Sequence, residues 1–170
     1  FLPTGLLLPG LQRLLDVRRV VGLRNPGHSL VKLMNPCHGP ALVVGSYTHP
    51  EYAISMADTF ALTGTRALLL RGTEGEPVAD ARRTPQMEAF RDGQRHLLQA
   101  AQDGPLASLP DLPREVDAAS TAAYIRSVLD GERPVPAPIA LQVEHILREV
   151  QRQPTTPTTE TTAVPAVSPP

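Results

Sequence analysis

The sequence predicts an α/β fold, and three observations carry the prediction. Two short apolar runs, Ala41-Leu-Val-Val-Gly45 and Arg66-Ala-Leu-Leu-Leu-Arg71, flank a segment in which Ile54, Ala57, Ala61 and Leu62 recur at helical spacing. Strand, helix and strand in that order make a βαβ unit, which implies a parallel pair and a right-handed crossover. Farther along, Asp92-Gly93 sits inside an alternating stretch from Pro85 to Leu98, a strong antiparallel hairpin signal. Two helical segments follow.

Each element has a local reason. Pro9 suits the first turn of a helix, and Leu11, Leu14, Leu15, Val20 and Val21 keep helical spacing until Gly22 stops it. Asn25-Pro26-Gly27 reads as a turn. His28 to Met34 reads as a short helix with Leu30 and Leu33 facing one way, ended by Asn35-Pro36. The run from Ala41 to Gly45 reads as a strand that is apolar on both faces, hence buried. Ser46 to Pro50 is a loop, the helix opens at Glu51 and ends at the cap Gly64, and the second strand ends at Gly72. Asp117 is the expected N-cap of a helix to Leu129, with Gly131 just past its end. Pro134 to Pro138 reads as a stiff connector, and Ile139 to Val150 as the last helix. From Gln153 the chain is Thr and Pro with one charge, Glu160, and is expected to be a disordered tail over 153–170 behind one folded unit over 1–152.

Composition narrows the class. A length of 170 residues suits one domain with a tail. A hydrophobic share of 41% supports a core, and an aromatic share of 4% without Trp makes that core Leu, Val, Ala and Ile. The formal net charge of −1 hides an asymmetry: residues 1–50 hold five bases against one acid, +4, and the rest eleven bases against sixteen acids, −5. The single Cys37 excludes an intrachain disulfide and suits a reducing cytoplasm. No apolar run approaches the roughly 18–20 residues of a membrane span, so no membrane partner is expected. The apolar opening lacks a basic leader and is broken by Pro3, Gly5 and Pro9, which argues against a signal peptide. A first residue of Phe rather than Met is expected of a piece of a longer product.

The most informative segment is Val17 to Pro36. It holds Arg18, Arg19, Arg24 and Lys32 in twenty positions with no acid. It resembles the family segment Val-Arg-Arg-x-Leu-Gly-x-Arg-Thr-x-Phe-Asn-x-Leu-Gly-Pro-Leu-x-Asn-Pro of anthranilate phosphoribosyltransferases. Val44-Gly-Ser-Tyr-Thr-His-Pro-Glu51 and the Gly72-Thr-Glu-Gly75 turn extend the resemblance to the glycosyltransferase family 3 superfamily. Arg24-Asn25, His28 to Lys32, Thr48 to Tyr52 and Gly72 to Glu76 are most similar to its YbiB (second TrpD-like) branch. The resemblance implies the C-terminal portion of the phosphoribosyltransferase-type α/β domain, without the family's small helical N-terminal domain. It implies a cytoplasmic homodimer that binds single- or double-stranded DNA without sequence preference.

The competing expectation from the same resemblance is a phosphoribosyltransferase, with phosphoribosyl pyrophosphate and Mg²⁺ as its cofactors and Arg18 holding an acidic acceptor. Three departures weigh against it. The Gly-Thr-Gly-Gly-Asp loop that cradles the pyrophosphate is not in this chain. The acidic pair that holds Mg²⁺ falls in register on Pro77 and Val78, while the nearby Glu74 and Glu76 have a different spacing. The family's Asn and Gly-Pro become His28 and Val31-Lys32.

The candidate nucleic-acid or phosphate contacts are therefore Arg18, Arg19, Arg24, His28 and Lys32. Phosphate neutralisation by such residues releases counterions and is salt-sensitive. The bland alternatives are a solvated basic face, an arginine favoured by a helix C-terminus, and a structural turn histidine. Cys37-His38 adjacency is poor metal geometry, and no second ligand pair follows at zinc spacing. No catalytic residue and no metal ligand are assigned.

Overall fold

A computed structural model describes residues 2–72, 76–106, 109–115 and 117–152. The expected tail over 153–170 and the Thr73-Glu74-Gly75 part of the expected turn lie outside the described residues. Helix α1 spans Thr4–Leu7 and α2 spans Pro9–Val21. Helix α3, Gly27–Leu30, runs into a single 3-10 turn, Val31–Leu33. Strand β1 is Val43–Tyr47, α4 is Pro50–Thr63 and β2 is Ala67–Arg71. Strands β3, Met87–Arg91, and β4, Gln94–Gln99, precede α5, Ala118–Leu129, and α6, Ala137–Gln151.

The α/β expectation of parallel strands with an antiparallel hairpin and packed helices holds, in one mixed sheet. Its four strands lie in the order β1-β2-β3-β4. The β1–β2 pair is parallel, with Val43 opposite Ala67 and Tyr47 opposite Arg71. The β2–β3 and β3–β4 pairs are antiparallel. Asp92 (φ 51°) and Gly93 (φ 72°) both take positive φ. That is the geometry of a tight hairpin whose twist matches its strands.

Two layers of side chains cover the sheet. On one face Ala67, Leu69 and Phe90 pack against Met56, Ala57 and Phe60 of α4, and Leu33 of the 3-10 turn joins them. Phe60 and Phe90 meet with ring centroids 5.5 Å apart, inside the favourable range for tilted aromatic pairs. On the other face Leu68, Leu70, Ala79 and Met87 pack with Val44, Leu98 and Ile146 of α6. Strand β2 is therefore central, with Ala67 to Leu70 fully buried on both faces.

Several local expectations shift. Strand β1 lies two residues later than its apolar run, since its pairing with β2 runs from Val43 to Tyr47; at Gly45 within it a Cβ would come within 3.0 Å of Met56 Cε. Helix α4 buries Met56, Ala57 and Phe60, whereas Ile54 and Leu62 face outward, with Leu62 89% exposed. The larger Met and Phe one turn apart set the face that meets the sheet. Helix α2 buries only Leu11 of its apolar residues. Helix α6 starts at Ala137, because Pro138 fits a first helical turn, where no N–H bond is lost.

Candidate nucleic-acid and phosphate cleft

Parallel strands collect ligands at their carboxyl ends, where chain turns and helix N-termini converge. The carboxyl ends of β1 and β2 here carry Tyr47-Thr48 and Arg71-Gly72, and α4 begins beside them after His49. A cavity of about 620 Å³ opens between this edge and the α3 turn. Arg24, His28 and Lys32 form one wall, and Ser55, Met56 and Thr59 of α4 form the other. A second cavity of about 560 Å³ lies on the β2 side, lined by Arg71, Gly72, Arg83 and Gln102 among others. Tyr47 and Thr48 line both cavities, so the two form adjoining lobes of one cleft.

The basic wall is held by a rigid turn. The Asn25 side-chain amide donates to the Leu14 carbonyl of α2 at 2.7 Å, and its oxygen accepts from the Gly27 N–H at 3.0 Å. His28 Nδ1 lies 3.2 Å from the Asn25 carbonyl and 3.3 Å from the Asn25 nitrogen, so that ring nitrogen is engaged within the turn. Gly27 is buried between them. A Cβ at this position would approach Asn25 Oδ1 to 2.9 Å and the Leu11 and Leu14 methyls to 3.2 Å. Only glycine lets the turn seat this closely on α2.

The opposite wall presents acceptors. Thr59 Oγ1 donates to the Ser55 carbonyl at 2.7 Å, and Ser55 Oγ to the Tyr52 carbonyl at 3.4 Å. The Thr59 proton thus points back along α4, which leaves its hydroxyl lone pairs for the cleft, while the long Ser55 contact holds its hydroxyl only weakly. Tyr52 stands at the rim, 45% exposed, with its ring at 89° and 6.0 Å from His49. Thr48 Oγ1 and His49 Nδ1 are hydrogen-bonded at 2.9 Å. Burial raises the Tyr47 phenol above its ordinary value, and the nearby Glu88 carboxylate adds to this against the opposing pull of Arg71 and Arg95. Tyr47 is thus a neutral donor and acceptor at the centre of the cleft.

Three of the five residues expected from sequence therefore share one lobe: Arg24, His28 and Lys32. Arg18 and Arg19 lie in the last turn of α2, outside that lining, and Arg19 pairs with Asp16 at 3.6 Å. Sequence reasoning missed the α4 hydroxyls, Tyr52 and Arg71. For Arg71 and Tyr52 the signal was positional, since they lie at or just beyond the carboxyl end of a parallel strand; Ser55 and Thr59 sit inside α4 and carried none.

The segment that would carry a Mg²⁺ pair does not fit one. Pro77 and Val78 offer no carboxylate, and the stretch is pinned to α6 by buried Gln142. Its side chain donates to the Pro77 carbonyl and accepts from the Ala79 N–H, both at 2.8 Å.

A second polar cluster lies away from the cleft. Glu149 of α6 has a side chain only 2% exposed, with Arg91 Nε at 3.5 Å and Arg152 Nε at 3.3 Å. Arg66, just before β2, donates to the Glu149 and Arg152 carbonyls at the end of α6. These bonds satisfy carbonyls that a helix C-terminus leaves without partners.

No helix among the described residues is long and apolar enough to cross a membrane. No family model matches the chain. A curated protein of Escherichia coli (strain K12), the uncharacterized protein YbiB, is 39% identical over 145 residues, which is 84% of this chain and 44% of that protein. The chain therefore spans less than half the length of the curated relative it matches. The chain is thus similar to YbiB over most of its own length.

Proposed function

We propose that this chain is part of a glycosyltransferase family 3 protein that binds nucleic acid without sequence preference, as a cytoplasmic homodimer. The observation that carries the reading is the convergence of Arg24, His28 and Lys32 on one lobe, with Arg18 and Arg19 on the neighbouring helix end. These sit in the basic half of a chain whose net charge is near zero. Phosphates are the partner such a patch attracts, and contacts to phosphate carry no sequence information. A dimer would present two patches and multiply a modest affinity. The similarity to YbiB, together with the signature in the α2 turn, supports the family placement.

The test is an anisotropy titration with random single- and double-stranded DNA over a salt series. A variant with Arg18, Arg19, Arg24 and Lys32 all changed to Ala is compared with the parent. Loss of four phosphate contacts lowers the salt slope on duplex by roughly 3–4. A variant that binds as the parent does overturns the reading.

A second reading has one observation in its favour: a two-lobed cleft at the carboxyl ends of parallel strands suits a small two-part substrate. It is a phosphoribosyltransferase in which Arg18 orients an acidic acceptor. The exposed position of Arg18 and the poor fit of Pro77 and Val78 to a metal pair favour the first reading. Phosphoribosyl transfer to an aromatic acid, which the first reading does not predict, would reverse that preference.

A further inference from the structure

We propose that the cleft takes two consecutive, unstacked nucleotides of a single strand, one in each lobe, across the Tyr47-Thr48 ridge. The inference rests on the nucleic-acid reading and adds the strand state that the site selects.

Size comes first. Each lobe, about 620 and 560 Å³, is within the range of pockets that enclose a small organic ligand. A nucleotide fits such a lobe. A base pair held in a stacked duplex does not enter it, so a duplex meets only the basic rim.

Chemistry comes second. The first lobe sets a cationic wall, Arg24 and Lys32, against the hydroxyl oxygens of Ser55 and Thr59, of which Thr59 donates its proton to the Ser55 carbonyl. A ligand that satisfies both walls carries an anionic group at one end and N–H or O–H donors at the other. A nucleotide is such a ligand, with phosphate facing the basic side chains and a base donor, such as thymine N3–H or an exocyclic amine, facing the acceptors. The second lobe repeats the cation with Arg71, which lies opposite Tyr47 in the parallel register. Arg83 supports that lobe's wall, bonded to the Gln102 and Gly104 carbonyls at 3.1 and 3.0 Å. Cations thus line both sides of the shared ridge, as successive phosphates of one strand would require.

The rim supplies the third element. Tyr52 is half exposed in the first turn of α4, and its ring is steadied by edge contact with His49. An aromatic face at the mouth of a basic cleft is a stacking platform for a base that has left its neighbours.

The experiment compares three fluorescent probes by anisotropy: a short thymidine oligomer, a duplex of the same length, and an abasic deoxyribose-phosphate strand. Parent, Tyr52→Ala and Tyr52→Phe proteins are tested, and thermal melts confirm their folding. The single strand is expected to bind at least ~10-fold tighter than the duplex, and the abasic strand to lose that advantage. Tyr52→Ala should weaken the oligomer roughly 5- to 100-fold and leave the duplex unchanged, while Tyr52→Phe keeps parental affinity. If duplex and oligomer bind equally, or if the abasic strand binds as well as the oligomer, the two-nucleotide cleft is wrong and the basic-surface reading stands. An unaffected Tyr52→Ala has the same meaning. If none of the probes binds, both fall.

Discussion

Replacing Glu149 with Gln tests how α6 is held to the sheet. The change keeps shape and removes one charge. Glu149 is almost wholly buried, and its carboxylate faces Arg91 from β3 and Arg152 from its own helix. Breaking a fully buried ion pair typically costs about 3–5 kcal/mol, because the remaining charge is stranded. Here the partners are only partly stranded: the Arg91 side chain is 20% exposed and that of Arg152 57%. Both can turn toward water, so the lower end applies and a discount follows. The expected loss is about 2–3 kcal/mol. With a urea slope of about 1–3 kcal/mol per molar, the unfolding midpoint falls by roughly 0.7–3 M. Circular dichroism during urea titration reads it directly. The Arg66 bonds go to main-chain carbonyls and survive the change. An Arg91→Met, Glu149→Leu double variant should recover most of the loss, since an apolar pair leaves no buried charge. A Glu149→Gln midpoint within experimental error of the parent would refute the argument that this carboxylate secures α6.

Four further outcomes are expected. Gln142→Leu strands the buried Ala79 N–H and the Pro77 carbonyl, costing about 1–3 kcal/mol in the same urea assay. Gly27→Ala forces Asn25 and α2 apart and costs about 1–3 kcal/mol, with a lowered melting temperature and weaker oligonucleotide binding. His145 has its pKa lowered below 6.5 by burial first and by Arg148 second, against the opposing influence of Glu144 and Glu149. Its folded state therefore favours the neutral ring: the contribution is complete above the unfolded value and is lost as pH falls from there through the lowered folded value, and His145→Gln should flatten that part of a stability–pH curve. In a spectrophotometric titration the Tyr47 phenol should ionise above the ordinary tyrosine range, and Tyr47→Phe should remove that late step.

Much of the fold was legible because its punctuation is local. Asp92-Gly93 names its own turn, Gly22 and Gly64 take the left-handed conformation that ends α2 and α4, and Asp117 caps α5 by accepting from the Ser120 N–H at 2.9 Å. What failed were statements about faces. Ile54 and Leu62 keep helical spacing, yet the sheet selects Met56 and Phe60, and nothing within α4 alone ranks the two faces. The apolar opening was read as broken by Pro3, Gly5 and Pro9, and the single-turn α1, Thr4–Leu7, between Pro3 and Pro9 was not foreseen. The basic residues were legible as a run. Their meeting with Ser55 and Thr59 is tertiary, because it depends on the α3 turn folding back over α4. Nothing in the sequence marked Glu149, since its partner Arg91 comes from β3, far earlier in the chain.

Spatial order in this sheet equals chain order, and that has a consequence for synthesis. Each strand is laid beside the one made just before it, so every pairing closes soon after its second strand leaves the ribosome. The face of β2 covered by α4 is sealed early, because α4 precedes it. The opposite face must wait for Ile146 and the rest of α6, made some seventy residues after β2. A nascent chain that pauses before Ala137 therefore carries Leu68, Leu70 and Met87 without Ile146 over them. That interval is when a chaperone has the most to hold.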